Sequence, residues 1–544
     1  MPIDALESED IQDGAPFVPE ADLTGQERVA WNVFAGWAGH LIVAIAGFVA
    51  PRVMDRQLGQ ESLGVWDFGW SLVSYFGLTQ LGVGSSVSRY VAKHRAAGDV
   101  AGLRRVASSV TGLSVAAGSL TLVFTLTCAW LLPRILRADL AAHVGSARWL
   151  VLLLGTTVAC QLGFQVYQGV LAGCHRFDVL NVITATTEIL NSIAIVAVLF
   201  AGGGLVALGV VCLAFQLAGD LSRMYWAHRV CPELRVRLAD AEWHEAKRLL
   251  RFGLKALVYS ISGLLLIQAN KLTVGGTFGL AALAVFSRPF ALIRVIETFA
   301  AKFAYVLTPT ASSLQSRGQH DQLSRLLLQS TRLGTALALP MVLVLAILGD
   351  PIMLLWMGPR YEPGPVVVIL ALGYLASLAL APMITILFGM NLHGWPALAT
   401  LVAAGISALL GVLNASVLGW GLTGAALAVA VPLTGSAVFL AAYACRKLEL
   451  SAGEFLKEAL AGPLLCGIPF ALILAASRAA FPASPAIAIF GGLALAWPVV
   501  LLLYWRFVIP DELKAQIREL PSQLVGLASR YLRGGDASAH GTAR

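Results

Sequence analysis

A chain of 544 residues that is 58% hydrophobic and only 13% charged, with a mean hydropathy of +0.77, is excluded from the soluble class, where about 25% of residues are charged. Its formal charge of +7 does not point to nucleic acid, because the basic residues fall mainly in short connections between apolar runs, where they set topology. Those runs, of about 20 residues each, can span hydrocarbon as helices, and their lack of alternation excludes a β-barrel. The expected fold class is all-α, a polytopic transmembrane helical bundle of about 14 spans in two pseudo-symmetric halves.

The chain opens acidic: Met1–Glu27 carries eight carboxylates and neither Lys nor Arg. It lacks the basic start of a signal peptide, so residues 1–29 read as a disordered cytoplasmic tail. The spans expected next are Ala30–Arg52, Leu63–Ser86, Val106–Leu132, Ala147–Gly173, Val179–Gly202, Leu205–Ala227 and Phe252–Gly275. Ala281–Tyr305, Leu333–Trp356, Pro365–Met390, Ala397–Leu418, Leu422–Ala444, Ala459–Ala480 and Ala486–Phe507 complete the set. They group into an N-terminal bundle (30–228), a linker (229–251), a C-terminal bundle (252–445), two further spans (446–508) and a tail (509–544). Within the linker, Asp240–Leu250 reads as an amphipathic helix on the membrane surface. Pro510–Leu532 reads as another, interrupted by Pro521. The longest outer connection, Pro133–Ser146, is too short to hold a domain. The seven cysteines show no metal-type spacing and mostly sit in apolar runs, as small core residues do.

With the N-terminus placed in the cytoplasm, the cytoplasmic segments carry 26 of the 38 basic residues and the opposite side seven. That bias predicts both termini inside. An internal repeat is visible at an offset of 220: Gly59-Gln60-Glu61-Ser62-Leu63-Gly64-Val65-Trp66 aligns with Gly279-Leu280-Ala281-Ala282-Leu283-Ala284-Val285-Phe286. Gly98, Leu103 and Arg105 likewise align with Gly318, Leu323 and Arg325. An even number of spans separates equivalent points, so the copies run parallel, an arrangement that places a ligand site between two bundles.

Phe48–Arg52, Leu58–Trp66, Leu78–Gly84 and Ser88–Ala92 resemble the polysaccharide transporter family. Its members include Wzx-type O-antigen and exopolysaccharide flippases of the multidrug/oligosaccharidyl-lipid/polysaccharide exporter superfamily. Asn270–Gly279 is similar to that family's seventh span and turn, with Asn270 where many members have Asp. The resemblance runs from Glu27 to Lys447, and the last two spans match in hydropathy alone. The lipid II flippases, a related group, place arginines in the first span, whereas Ala30–Pro51 holds His40 and no Lys or Arg. The resemblance implies movement of an undecaprenyl-diphosphate-linked saccharide across the bacterial cytoplasmic membrane by alternating access. Its partners would be that lipid-linked substrate, membrane lipids and a polysaccharide polymerase, with no nucleic acid and no cofactor.

An ionisable group at a helix centre costs about 2.5–3.5 kcal/mol on insertion scales, so each one here is a candidate facing a cavity. Arg288 and Arg294 share the eighth span with Pro289, which removes a helix hydrogen bond. Their guanidinium forks suit a diphosphate; the alternative is an ion pair of Arg294 with Glu297. Lys271 and Arg52 sit near the outer ends of equivalent first spans, as a cationic rim or as snorkelling side chains. Gln161 and Gln165, with Gln168, form a polar stripe suited to sugar hydroxyls or to interhelical hydrogen bonds. Glu188, Glu297 and Asp67 are the candidates for ion coupling, and Asp220 with Arg223 reads as a local pair. A multidrug or small-molecule antiporter of the same superfamily is the competing function. An enzyme is disfavoured, because no catalytic constellation, phosphate-binding loop or metal-ligand cluster is legible.

Overall fold

The computed structural model describes residues 47–80, 83–135, 144–244, 246–247, 261–305, 307–362, 364–392, 394–511, 513–515 and 518, and every regular element among them is helical. In chain order these are α1 (residues 47–58), α2 (Gln60–Ser74), α3 (Val83–Ala96), α4 (Val100–Ile135), α5 (Val144–Gly173), α6 (Phe177–Phe200) and α7 (Leu205–Val230). There follow α8 (Asn270–Thr277), α9 (Leu280–Tyr305), α10 (Leu307–Ser316), α11 (His320–Met357), α12 (Val366–Ala379) and α13 (Ala381–Gly389). The last are α14 (Gly394–Leu413), α15 (Gly421–Lys447), α16 (Ala452–Ala480) and α17 (Pro485–Phe507). The protein is thus an all-α, multi-pass membrane bundle.

Among the described residues, ten helices are long and apolar enough to cross a membrane, fewer than the 14 or so expected. Four expected spans are not among the ten: Ala30–Arg52 and Phe252–Gly275 lie partly outside the described residues, and the other two differ for physical reasons. The expected span Leu63–Ser86 is interrupted: α2 ends at Ser74, a 3₁₀ turn covers Tyr75–Gln80, and α3 begins at Val83. Ser74 Oγ bonds back to the Trp70 carbonyl at 2.6 Å, a contact that bends helices, and Gly77 withholds helix propensity just beyond. The span Pro365–Met390 is one of the ten, although its helix is broken at Leu380, where Pro382 has no N–H to donate across the break. The eighth span exists as α9 but carries more charge than an apolar span allows. Conversely, α11 runs 38 residues, about 57 Å at the helical rise, so it extends well beyond the hydrocarbon.

Several expectations fall outside the described residues: the acidic tail 1–29, most of the first span with His40, residues 136–143 of the outer connection, 248–260 and nearly all of Pro510–Leu532. The linker helix expected from Asp240 begins only at Trp243, after a 3₁₀ turn over Leu238–Asp240. The preceding strap docks on α4. Ser109 Oγ accepts from the Glu242 N–H at 2.9 Å and donates to its carbonyl at 3.3 Å, while Ser108 Oγ accepts from the Arg237 N–H at 3.1 Å.

The repeat appears in the backbone itself. Gly59 and Gly279 both take positive φ, 85° and 94°, and Gly98 and Gly318 both take 67°. Only glycine enters that region without strain. The bond Leu63 N–H to Gly59 O recurs as Leu283 to Gly279, and Asp99 to His94 recurs as Gln319 to Leu314. Further on the offset becomes 216. His175 and Asn391 both adopt left-handed φ, and the flanking bond Arg176 N–H to Leu171 O recurs as Leu392 to Leu387.

The chain divides into two compact units, Met1–Ala291 with Thr400–Pro432, and Leu292–Ala399 with Leu433–Arg544. This division groups residues 261–291 and 400–432 with the N-terminal helices, whereas the register of the repeat assigns them to the second copy. Within the first unit a buried cluster forms around Val91, Leu103, Val170 and Ala227. The second unit holds one around Leu327, Met383 and Ala444, and another around Phe470, Ala496 and Val500.

Candidate functional site

Lipid does not solvate charge, so ionised side chains inside apolar helices mark where a membrane protein can act. In the first unit the leading feature joins α2 to α9. Arg288 Nη2 donates to Asp67 Oδ1 at 2.5 Å and also to Oδ2, and its Nε reaches the Ala284 carbonyl at 3.3 Å. Arg288 is 4% exposed and the Asp67 side chain 14%. The close approach depends on Gly64, where a Cβ would collide with the Leu280 backbone carbonyl. Asp67 and Arg288, assigned separate roles from sequence, are therefore one ion pair, and in this conformation the guanidinium is engaged by protein.

Arg294 lies six residues further along α9, about 120° around the helix from Arg288, and belongs to the second unit. It is exposed, and among the described residues no hydrogen bond or contact ion pair holds its guanidinium. Glu297 is half-buried. It lies within electrostatic reach of Arg294 and of the buried phenol of Tyr374 on α12, without the contact ion pair weighed from sequence. Lys271, half-buried on α8, places Nζ 5.2 Å from the Phe290 ring centroid. Arg52 is half-buried on α1.

The glutamine stripe of α5 splits by role. Gln165 Nε2 donates to Ser114 Oγ on α4 at 3.0 Å, while Gln161 and Gln168 are exposed. Glu188 is exposed halfway along α6. The neighbouring α7 pair forms as expected: Arg223 Nη1 donates to buried Asp220 at 2.8 Å. The pair extends into a network in which Gln216 donates to Asp220 at 3.0 Å and Arg223 Nη2 to Thr184 at 3.3 Å.

Sequence reasoning missed a second buried polar cluster. Asn270 Nδ2 donates to Ser407 Oγ at 2.8 Å and to the Leu266 carbonyl at 3.1 Å, beside a π-turn over Leu265–Ala269. The Asn270 and Gln268 amide oxygens find no hydrogen-bond donor among the described residues. Nothing in the local sequence signals that π-turn. The second unit also contains an apolar cleft of about 830 Å³, walled by Leu372, Val438, Leu456 and Leu464, with Arg446 among its lining residues. No cluster of metal-ligating side chains occurs among the described residues.

Three comparisons bear on this geometry. A family model described as polysaccharide biosynthesis protein matches residues 63–364. The chain is 25% identical over 443 residues to the uncharacterized membrane protein EpsK of Bacillus subtilis, covering 79% of this chain and 85% of that one. It is 22% identical over 335 residues to a putative O-antigen transporter of Shigella flexneri, covering 61% and 76%. Among solved structures, the lipid II flippase MurJ in an inward closed conformation superposes with a TM-score of 0.67 at 11% identity, covering 86% of this chain and 97% of that one. An inward-facing multidrug resistance MATE family transporter of the MOP superfamily gives 0.60 at 14% identity, covering 75% and 94%.

Proposed function

The chain belongs to the polysaccharide biosynthesis protein family, and from that premise we propose that it is a flippase carrying an undecaprenyl-diphosphate-linked oligosaccharide across the bacterial cytoplasmic membrane by alternating access. The O-antigen transporter relative and the MOP-superfamily fold support transport rather than chemistry. The observation that carries the reading is Arg294, a guanidinium exposed near the middle of a membrane helix. Such a charge is stable there only beside water or an anion, and a diphosphate offers the paired oxygens its fork accepts. Within the first unit, Lys271, Arg52 and exposed Gln161 are the remaining candidates for substrate contact, while Arg288 is paired with Asp67 and Gln165 with Ser114. The apolar cleft near Arg446 has the character a polyprenyl chain requires. The basic bias of the connections supports both termini in the cytoplasm.

The test is complementation of a strain lacking the gene. Loss should leave lipid-linked oligosaccharide on the inner leaflet, wild type should restore surface polysaccharide, and Arg294→Ala should not. Normal polysaccharide in the deletion strain together with hypersensitivity to cationic drugs would instead favour a small-molecule antiporter. Glu188, exposed in an apolar helix, is the specific feature that supports this second reading.

A further inference from the structure

The apolar cleft of the second unit has a construction of its own. Small side chains hollow it, Ala376 and Ala379 on α12 and Ala441 and Ala442 on α15. The wall formed by α16 contains a π-turn over Leu456–Ala461, which carries the lining residues Leu456 and Leu460. Single π-turns inside helices recur at functional sites. Leu372, Val438, Leu456 and Leu464 are between 44% and 61% exposed, so the cleft is an open groove and not an internal void.

The hydroxyls of its walls are already bonded. Thr434 Oγ1 donates to the Gly373 carbonyl at 3.1 Å, and Thr335 Oγ1 to the Thr331 carbonyl at 2.8 Å. Arg446, in the last turn of α15, is the one charged residue of the walls and is exposed. Among the described residues no hydrogen bond or contact ion pair holds its guanidinium. The nearby carboxylates Glu449 and Glu454 are not wall residues. Along α15 the walls run from Thr434 to Arg446, and along α16 from Ala452 to Leu464, about 18 Å each at the helical rise. Half of a hydrocarbon core of about 30 Å is about 15 Å, so the groove is one leaflet deep, with its cation at the expected cytoplasmic end.

We propose that this groove holds one anionic glycerophospholipid of the cytoplasmic leaflet, with its acyl chains along α12, α15 and α16 and its phosphate on the Arg446 guanidinium. A guanidinium fork matches two phosphate oxygens. One leaflet's depth of apolar wall ending in a cation reproduces the order of chain and headgroup in a lipid standing in its ordinary orientation. A sugar or a peptide would find no free side-chain donor or acceptor in these walls beyond Arg446 and the Cys445 thiol, and burying its polar groups there would be costly. A polyprenyl chain entering the same groove competes with the resident phospholipid, so the composition of the inner leaflet sets how often the groove is free. Lipid retention needs no transport, and its outcome is therefore independent of the flippase reading.

The test uses the full chain purified in detergent, dioleoyl phosphatidylglycerol and dioleoyl phosphatidylcholine added in equal amounts, and native mass spectrometry of the retained lipid. The expected result is one retained phosphatidylglycerol, favoured about fivefold over phosphatidylcholine, the preference that one basic residue gives at an anionic headgroup. Arg446→Gln should abolish the preference and Arg446→Lys should keep most of it. Ala442→Trp, at an exposed position, should lose the retained lipid while melting with wild type. Equal retention of the two lipids by wild type would overturn the proposal, as would a preference that survives in Arg446→Gln or a lipid that survives in Ala442→Trp. Loss of the preference in Lys447→Gln to the same extent would show a diffuse basic surface and no site. Retention of undecaprenyl phosphate where phosphatidylglycerol is not retained would overturn the occupant and leave the flippase reading in place.

Discussion

Replacing Asp67 with Asn keeps the shape of the side chain and removes the charge that Arg288 faces. The guanidinium, 4% exposed, would then be a buried cation with no counter-charge at its Nη2. Breaking a buried pair from one side costs about 3–5 kcal/mol. The amide oxygen still accepts one hydrogen bond, so the lower end applies, about 3 kcal/mol. For a large unit this corresponds to a fall in melting temperature of about 5 °C. Arg288→Gln made together with Asp67→Asn restores a neutral donor–acceptor pair, and the two changes should be non-additive by about 2 kcal/mol. Thermal unfolding of the four proteins in one detergent measures the cycle. If Asp67→Asn melts with wild type, or if the double variant falls by the sum of the singles, the ion pair does not hold α2 to α9 and the argument from burial fails.

Gly64→Ala should also separate these helices, because its methyl group meets the rigid Leu280 carbonyl rather than a movable side chain. Overpacking of this kind costs about 1–3 kcal/mol, read as a lowered melting temperature. Ser109→Ala removes both hydrogen bonds to the Glu242 backbone. Leaving those groups unpaired costs about 1–3 kcal/mol, and limited proteolysis should cut the 233–242 strap faster. Asp99 caps α4 by accepting from the Gly102 N–H at 2.7 Å, and that bond is the largest cause holding its carboxyl below the ordinary 3.8. Since the folded value is depressed, the contribution is present above pH 3.8 and lost as pH falls through the lower folded value. The stability gap between wild type and Asp99→Ala should therefore narrow in acid in a pH series of melting curves.

Hydropathy alone was enough for the membrane class and for most helices, because an apolar run of span length has few other stable states in lipid. It could not locate the break at Leu380 or the 3₁₀ turn after Ser74, where a proline and a back-bonded serine act against otherwise apolar sequence. The Asp220–Arg223 pair was legible because both partners lie one turn apart on one helix. The Asn270–Ser407 contact was not, since its partners are far apart in sequence and its π-turn has no sequence signature. Arg288 was legible as an intramembrane charge, but its partner was not. The separation of 221 between Arg288 and Asp67 differs by one from the repeat offset, and that coincidence was the missed signal.

The coincidence has a physical basis. When two copies of one element pack against each other about an approximate two-fold axis, a residue near the axis faces its own counterpart. The α2–α9 contact joins corresponding helices of the two copies: both start after a positive-φ glycine, Gly64 meets Leu280, and Asp67 meets Arg288, the neighbour of its own counterpart in sequence. A carboxylate at such a position in two identical copies would face another carboxylate in a medium that screens little, a repulsion no packing could offset. Charge can enter only if the copies diverge. The offset of 220 pairs Asp67 with Ser287 and Arg288 with Phe68, so each charged residue has a neutral counterpart. The backbone retained the repeat while the side chains at its contact became complementary. Restoring the symmetry should be as damaging as breaking the pair: Ser287→Asp would bury a second carboxylate at a position only 4% exposed, one residue before Arg288, whose guanidinium is already engaged by Asp67. Its melting temperature should fall while Ser287→Ala, which removes only a buried hydroxyl without a described partner, stays near wild type. Equal stability of the two variants would show that the contact does not sense charge at the repeated position.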